Sequence, residues 1–167
     1  IRVLQSRVAL PSLVRYTAIC AGFDTFAPAL DIALGPRGWQ YAAASELQPG
    51  VAACLLRAYG CRGLTEHAMA PDATDAGAMA ALPPADLVFA GVPCEGFSER
   101  NHWRDDVSLQ HASRTAIRMM AYMHAHMPRG VILENLDSAE AVAAVTAAAL
   151  TLPRYDWDSF PVDALDH

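Results

Sequence analysis

The chain predicts an α/β fold, a mostly parallel sheet with helices on both faces, and three observations carry that expectation. Asp86-Leu87-Val88-Phe89-Ala90 and Val131-Ile132-Leu133 are short apolar runs without polar alternation, as strands buried on both sides are. Runs of this kind alternate with longer stretches of helical periodicity, the rhythm of βαβ units and parallel pairing. Glycine, proline or a polar group closes the runs, and open α/β sheets hold their ligands at that carboxyl edge.

The totals agree with one globular domain. The chain has 167 residues, 53% of them hydrophobic, enough for a real core. No apolar stretch reaches the roughly 18 residues of a membrane span, so no membrane partner is expected. Ile1-Arg2-Val3-Leu4-Gln5 lacks the charged and then apolar layout of a signal peptide, and the absence of an initial Met points to a trimmed start. Cys20, Cys54, Cys61 and Cys94 form no Cys-x-x-Cys pair, and His124 and His126 have no cysteine nearby, so no metal site is read. Reduced thiols fit a cytoplasmic enzyme. The formal net charge is −6 and all twelve basic residues are arginine, which argues against this segment gripping DNA unaided, because duplex affinity comes largely from neutralised phosphates.

In chain order, residues 1–15 read as a lead-in helix or arm, and 16–167 as the domain. A first strand is expected over 16–20, a turn over Ala21-Gly22-Phe23-Asp24-Thr25-Phe26 and a helix over 27–34. Strand, glycine turn and helix amino terminus make a nucleotide cradle, since backbone N–H groups there face the ligand. A second strand over 39–44 ends at Ser45-Glu46-Leu47, and Pro49 opens a helix through residue 59. An acid closing the second strand, about twenty residues past the glycine turn, is the usual acceptor for ribose hydroxyls. A short third strand is expected over 64–67, and Asp75 is placed to cap the next helix. After the strand at 86–90 come Gly91-Val92-Pro93-Cys94, a polar stretch to residue 108, and a helix over 109–127 with Ile117, Met120, Ala121 and His124 on one face. The strand at 131–133 runs into Glu134-Asn135, followed by a helix over 138–150 and a strand over 156–162. Were the strands at 86–90 and 131–133 parallel neighbours, about 4.8 Å apart, Cys94 and Glu134 would project from one edge of the sheet.

Pro93-Cys94-x-x-Phe97-Ser98-x-x-Asn101 after a strand, with Glu134-Asn135 ending the next, resembles the DNA (cytosine-5)-methyltransferases. Taken singly, such a cysteine is usually a small buried hydrophobe and such a glutamate a solvated cap; both motifs in order favour the family. The resemblance implies a Rossmann-like S-adenosylmethionine-dependent methyltransferase fold. It implies Cys94 as nucleophile, with Glu134 and Asn135 handling the base, and S-adenosylmethionine as cofactor. Ala21-Gly22-Phe23-Asp24-Thr25 resembles the family's first motif, with Asp24 and Thr25 standing where glycines are common. By the same likeness Glu46 takes the ribose, Leu47 and Ile117 lie against adenine, Asp72 with Ala73 receives the adenine amino group, and Pro93 borders the cofactor. Ser98, Asn101, Arg104 and Arg114 would contact DNA.

The chemistry explains why a thiol and a carboxyl group are needed together. Cytosine C5 is too electron-poor to take a methyl group until a thiolate adds to C6. A carboxyl group at N3 and the 4-amino group supports the charge that develops, and the base must first leave the stacked duplex. Glu95 stands where the family more often has glutamine. The motif Gly-x-Pro-Gln-x-Arg-x-Arg and a target recognition domain are not among these residues, so the layout is expected to be incomplete at the carboxyl end and completed by a downstream segment or a complementing subunit. The setting would be bacterial or phage-like. The alternatives are a catalytically silent domain that binds cofactor or a partner, a transferase of a modified methyl group such as carboxymethyl, and one acting on tRNA.

Overall fold

A computed structural model describes residues 10–91 and 106–134, together with Ala143, Thr146, Ala147, Thr151, Tyr155 and Asp156; the side chains of 106–113 are outside that description. Among the described residues five parallel strands form one sheet in the order β3-β2-β1-β4-β5. They are β1 (Val14–Ile19), β2 (Trp39–Ser45), β3 (Met69–Ala70), β4 (Leu87–Gly91) and β5 (Gly130–Glu134). Between them lie α1 (Phe26–Leu34), α2 (Pro49–Tyr59), α3 (Ala76–Ala81) and α4 (Asp106–His126).

Strand alternation builds two cores, one on each face of the sheet. Val14, Tyr16 and Ala18 of β1 face α1 and α2, packed with Ala27, Leu30, Trp39, Tyr41 and Leu55. Ile19 faces the other way and joins Val88, Met79, Met119 and Met123 under α3 and α4. The first core is rich in aromatic rings: Tyr16 packs edge-on against Trp39 at 5.8 Å, and Phe26 of α1 stacks on Phe89 of β4 at 4.9 Å. Such ring pairs stabilise by about 0.5–1.5 kcal/mol beyond the area they bury.

Local chemistry sets the element ends. Pro49 begins α2, where its missing N–H costs nothing. Asp75 caps α3 as expected, accepting from Gly77 N at 2.8 Å and Ala78 N at 3.1 Å. Asp86 closes the amino edge of the sheet: its carboxylate accepts from Arg15 N at 2.9 Å, and Arg129 Nε lies 3.6 Å away.

Two expectations require correction. The third strand is not at 64–67: Leu64 is a core residue, Glu66–Ala68 forms a 3₁₀ turn, and only Met69 and Ala70 pair with the end of β2. The polar run Thr65-Glu66-His67 thus climbs the sheet edge without joining it. Among the described side chains of α4 the buried ones are Thr115, Met119, Met120, Tyr122 and Met123, whereas Ile117 is 61% exposed and Ala121 and His124 are exposed. The helix face is therefore turned from the one the sequence suggested, because the long methionines rather than Ile117 fill the gap over Val88 and Ala90. The expected helix over 138–150 and strand over 156–162 lie outside the described residues, save for single positions.

Candidate functional site

The sheet changes winding direction between β1 and β4, which pair directly although α1, β2, α2, β3 and α3 separate them in sequence. A crevice opens at such a switch point beyond the carboxyl ends of the strands. Here the two strands that flank the switch point end at Ile19-Cys20 and at Ala90-Gly91.

The turn after β1 is sharply wound. Cys20, Gly22 and Asp24 all have positive φ, at 54°, 53° and 48°. Ala21 N donates to Ser45 O at 2.9 Å, which ties the turn to β2, and Asp24 N donates to Ala21 O at 2.7 Å, which closes it. The Gly22 amide then points at Glu46, donating to Oε2 at 2.8 Å; Glu46 Oε1 accepts from Gln48 N at 2.8 Å. Glu46 thus joins the glycine turn to the start of α2. Glu46 is 9% exposed. A Cβ on Gly22 would meet nothing within 4 Å, so the backbone here is open to a ligand.

Asp24 departs from expectation. Its carboxylate faces inward, 1% exposed, and accepts hydrogen bonds from Tyr16 Oη at 3.0 Å, from Tyr41 Oη and from Ala27 N at 3.2 Å. The side chain therefore holds the turn and caps α1 from beneath, and it is not available to the methionine end of a cofactor as the sequence suggested. Burial raises the Asp24 pKa, against the lowering effect of these hydrogen bonds. Burial and the Asp24 charge likewise push the hydroxyls of Tyr16 and Tyr41 up, so both remain protonated donors. These tyrosines were not singled out from the sequence. The available signal was a buried phenol in each of two core strands, since such hydroxyls require a partner.

Around the turn lie the other residues singled out. Cys20 is half-buried, and burial, with the carboxylates of Glu46 and Asp72 adding to it, pushes its thiol up to about 12. Asp72 accepts from Thr74 N at 2.7 Å and so shapes its own loop, and Ala73 is core. Phe23 and Leu47 are exposed by 69% and 57%, two apolar surfaces beside the Gly22 amide and Glu46. Thr25 is exposed and makes no side-chain cap bond.

On the other side of the switch point, Gly91 and Glu134 are register partners at the last position of the β4–β5 pair. The strands are parallel neighbours, as expected. Glu134 is exposed, and its Oε2 lies over Gly91: a Cβ built there would come 3.5 Å from Oε2 and 3.7 Å from Cys20 O. A carboxyl group thus stands at the rim where β4 leaves toward Cys94. Cys94, Pro93, Ser98, Asn101, Arg104 and Asn135 themselves lie outside the described residues. Arg114 is exposed on α4.

An open groove at the opposite, amino edge of the sheet is lined by Pro36, Arg37, Trp39, Cys61 and Arg62. It has a structural use: Arg62 bonds Asp31 Oδ1 at 2.5 Å and Pro36 O, and sits 4.9 Å over the Trp39 ring. Among the described residues no group of three or more His, Cys, Asp or Glu is placed to hold a metal ion, and no helix is long and apolar enough to cross a membrane.

Among the described residues, five parallel strands in this order, with helices on both faces and a glycine turn after β1, define a Rossmann-like α/β fold. The chain is similar to a solved fibrillarin/Nop5p complex, with 13% sequence identity and a TM-score of 0.50 over 89% of this chain. It spans 65% of the length of that chain. No family model and no curated protein matches the sequence.

Proposed function

We propose that this chain is the cofactor-binding and catalytic part of a methyltransferase that acts on C5 of cytosine in DNA. The observation that carries the reading is the Glu134 carboxylate, held over Gly91 at the rim of the switch-point crevice, where Gly91-Val92-Pro93 leads to Cys94.

The residues on the near side of the crevice fit S-adenosylmethionine. Glu46 would take the ribose hydroxyls, and Asp72 with Leu47 and Phe23 would border the adenine and the open Gly22 backbone. Bound there, the cofactor supplies an electrophilic methyl group. Cys94, as thiolate, adds to C6 of a base turned out of the duplex and makes C5 nucleophilic. Glu134 engages N3 and the 4-amino group and supports the charge that builds on the ring. After transfer a base removes the C5 proton and the thiolate leaves. Ser98, Asn101, Arg104 and Arg114 are assigned to DNA.

The test is covalent capture. The chain, alone and with its downstream segment or complementing subunit, is incubated with labelled S-adenosylmethionine and DNA containing 5-fluorocytosine, which blocks the final proton removal. A labelled protein–DNA adduct that disappears in Cys94→Ala is expected. Cofactor binding without adduct under every complementation would instead favour the silent module, and an adduct on tRNA alone would move the substrate to RNA.

A further inference from the structure

The geometry points to Asp24 as the positioning residue of the cofactor cradle: its buried carboxylate, gripped by Tyr16 and Tyr41, fixes the turn that aims the Gly22 amide at Glu46. This inference rests on the cofactor reading above and adds to it a residue that contacts no ligand.

The argument begins with backbone cost. Residue 24 has φ 48°, a left-handed conformation that disfavours any side chain with a Cβ, although aspartate tolerates it better than most. Residues 20 and 22 are left-handed as well, so a short stretch holds three positive φ values, and only one of the three is glycine. Such conformations persist when the surroundings over-determine them. Here the surroundings are explicit. Tyr16 and Tyr41 are register partners on β1 and β2, so their hydroxyls arrive side by side beneath the turn. Each donates to a different oxygen of Asp24, and Ala27 N adds a third bond. The anchored residue then closes the turn through Asp24 N and Ala21 O, and Ala21 N binds β2 at Ser45 O. With both ends tied, the Gly22 amide between them has one direction left, toward Glu46 Oε2 at 2.8 Å. Asp24 and Glu46 are therefore linked through one turn and should not act independently.

A double-mutant cycle on S-adenosylmethionine binding, read by calorimetry, tests this. Asp24→Ala removes the anchor and keeps the left-handed penalty; its affinity is expected to fall about tenfold at a temperature where circular dichroism shows it folded. Placed on Glu46→Gln, the same change is expected to cost less than threefold, because the partner of the aimed amide is already altered. Asp24→Gly, which relieves the left-handed strain but also lacks the carboxylate, is expected to lose affinity as Asp24→Ala does, and parental affinity in it would overturn the assignment. Should Asp24→Ala fail to fold, Tyr41→Phe runs through the same cycle with the same expectation. A full tenfold loss in the double variant, or parental affinity in Asp24→Ala or its Tyr41→Phe substitute, overturns the assignment. A parent that binds no S-adenosylmethionine overturns the cofactor reading and this inference with it, whereas a binding parent with independent variants removes the inference alone.

Discussion

Gly91 and Glu134 face each other across the final rung of the β4–β5 pair, and the Glu134 carboxylate borders the space a side chain at position 91 would enter. An added methyl would sit at 3.5 Å from Oε2, ordinary contact, so Gly91→Ala is expected to change stability by under about 1 kcal/mol. A larger side chain has no such room. Gly91→Leu is expected to fold with near-parental urea midpoint while pushing the carboxylate off the rim, lowering adduct formation on 5-fluorocytosine DNA at least tenfold. Parental adduct rates in Gly91→Leu would show that the rim position of Glu134 is not used.

Glu134→Gln separates charge from shape. The amide is isosteric and Glu134 is exposed, so stability should hold. The proposed work of this carboxyl group is on the base, and losing its proton chemistry is expected to slow adduct formation by about 10²-fold or more. Affinity for S-adenosylmethionine should stay within threefold, because it is Glu46 that accepts from the Gly22 amide of the glycine turn. Equal losses in both measurements would place Glu134 in the cofactor pocket instead.

At the opposite edge, Gly38 is a packing requirement of the fold. Val14 N, which starts β1, donates to Gly38 O at 2.9 Å, and a Cβ on Gly38 would lie 2.2 Å from the backbone oxygen of Leu34. Backbone cannot rotate aside as a side chain can. Gly38→Ala is expected to destabilise by about 1–3 kcal/mol, read as a lowered urea midpoint with unchanged slope.

Most of the sheet was legible in the sequence because β4 and the centre of β5 spell short apolar runs, while β1 and β2 are mostly apolar or aromatic and end at a glycine turn and at Glu46. β3 has two residues and no run to read, so the polar, β-branched segment before it drew the strand assignment. Glu46 was legible as the acid that ends β2. Asp24 was misread because nothing local to the turn reveals that two phenols lie beneath it; Tyr16 and Tyr41 meet there only through the parallel register of β1 with β2. The face of α4 was misread for a related reason, since which side of an alanine- and methionine-rich helix is buried depends on the shape of the sheet it covers.

Cys20 offers a control on which thiol is reactive. Burial pushes its thiol up to about 12, which suppresses the thiolate that attacks an alkylating agent. Cys54 and Cys61 are exposed on the surface. Brief iodoacetamide treatment at pH 8 followed by peptide mass mapping is expected to label Cys54 and Cys61 well before Cys20. Cys20→Ser should accordingly retain adduct formation, and loss of the adduct in that variant would contradict the assignment of the nucleophile to Cys94.

The buried Asp24 carboxyl group predicts an unusual sign in the dependence of stability on pH. Its folded pKa is raised above the ordinary aspartate value by burial, so the folded chain takes up this proton at a higher pH than the unfolded chain does. Wherever the folded state binds more protons, stability rises as pH falls. The contribution is therefore fully present below the unfolded value and is lost as pH rises through the folded one. Most paired carboxylates act in the opposite sense, so the effect has to be isolated by difference. Asp24→Asn cannot titrate at this position. Urea unfolding of parent and Asp24→Asn at a series of pH values from 7 down to about 4 is expected to show the parent gaining on the variant as acid is added, with the gain levelling near the unfolded value. A parent that loses ground to Asp24→Asn over that interval would mean that the two tyrosine hydroxyls stabilise the charged form by more than burial disfavours it.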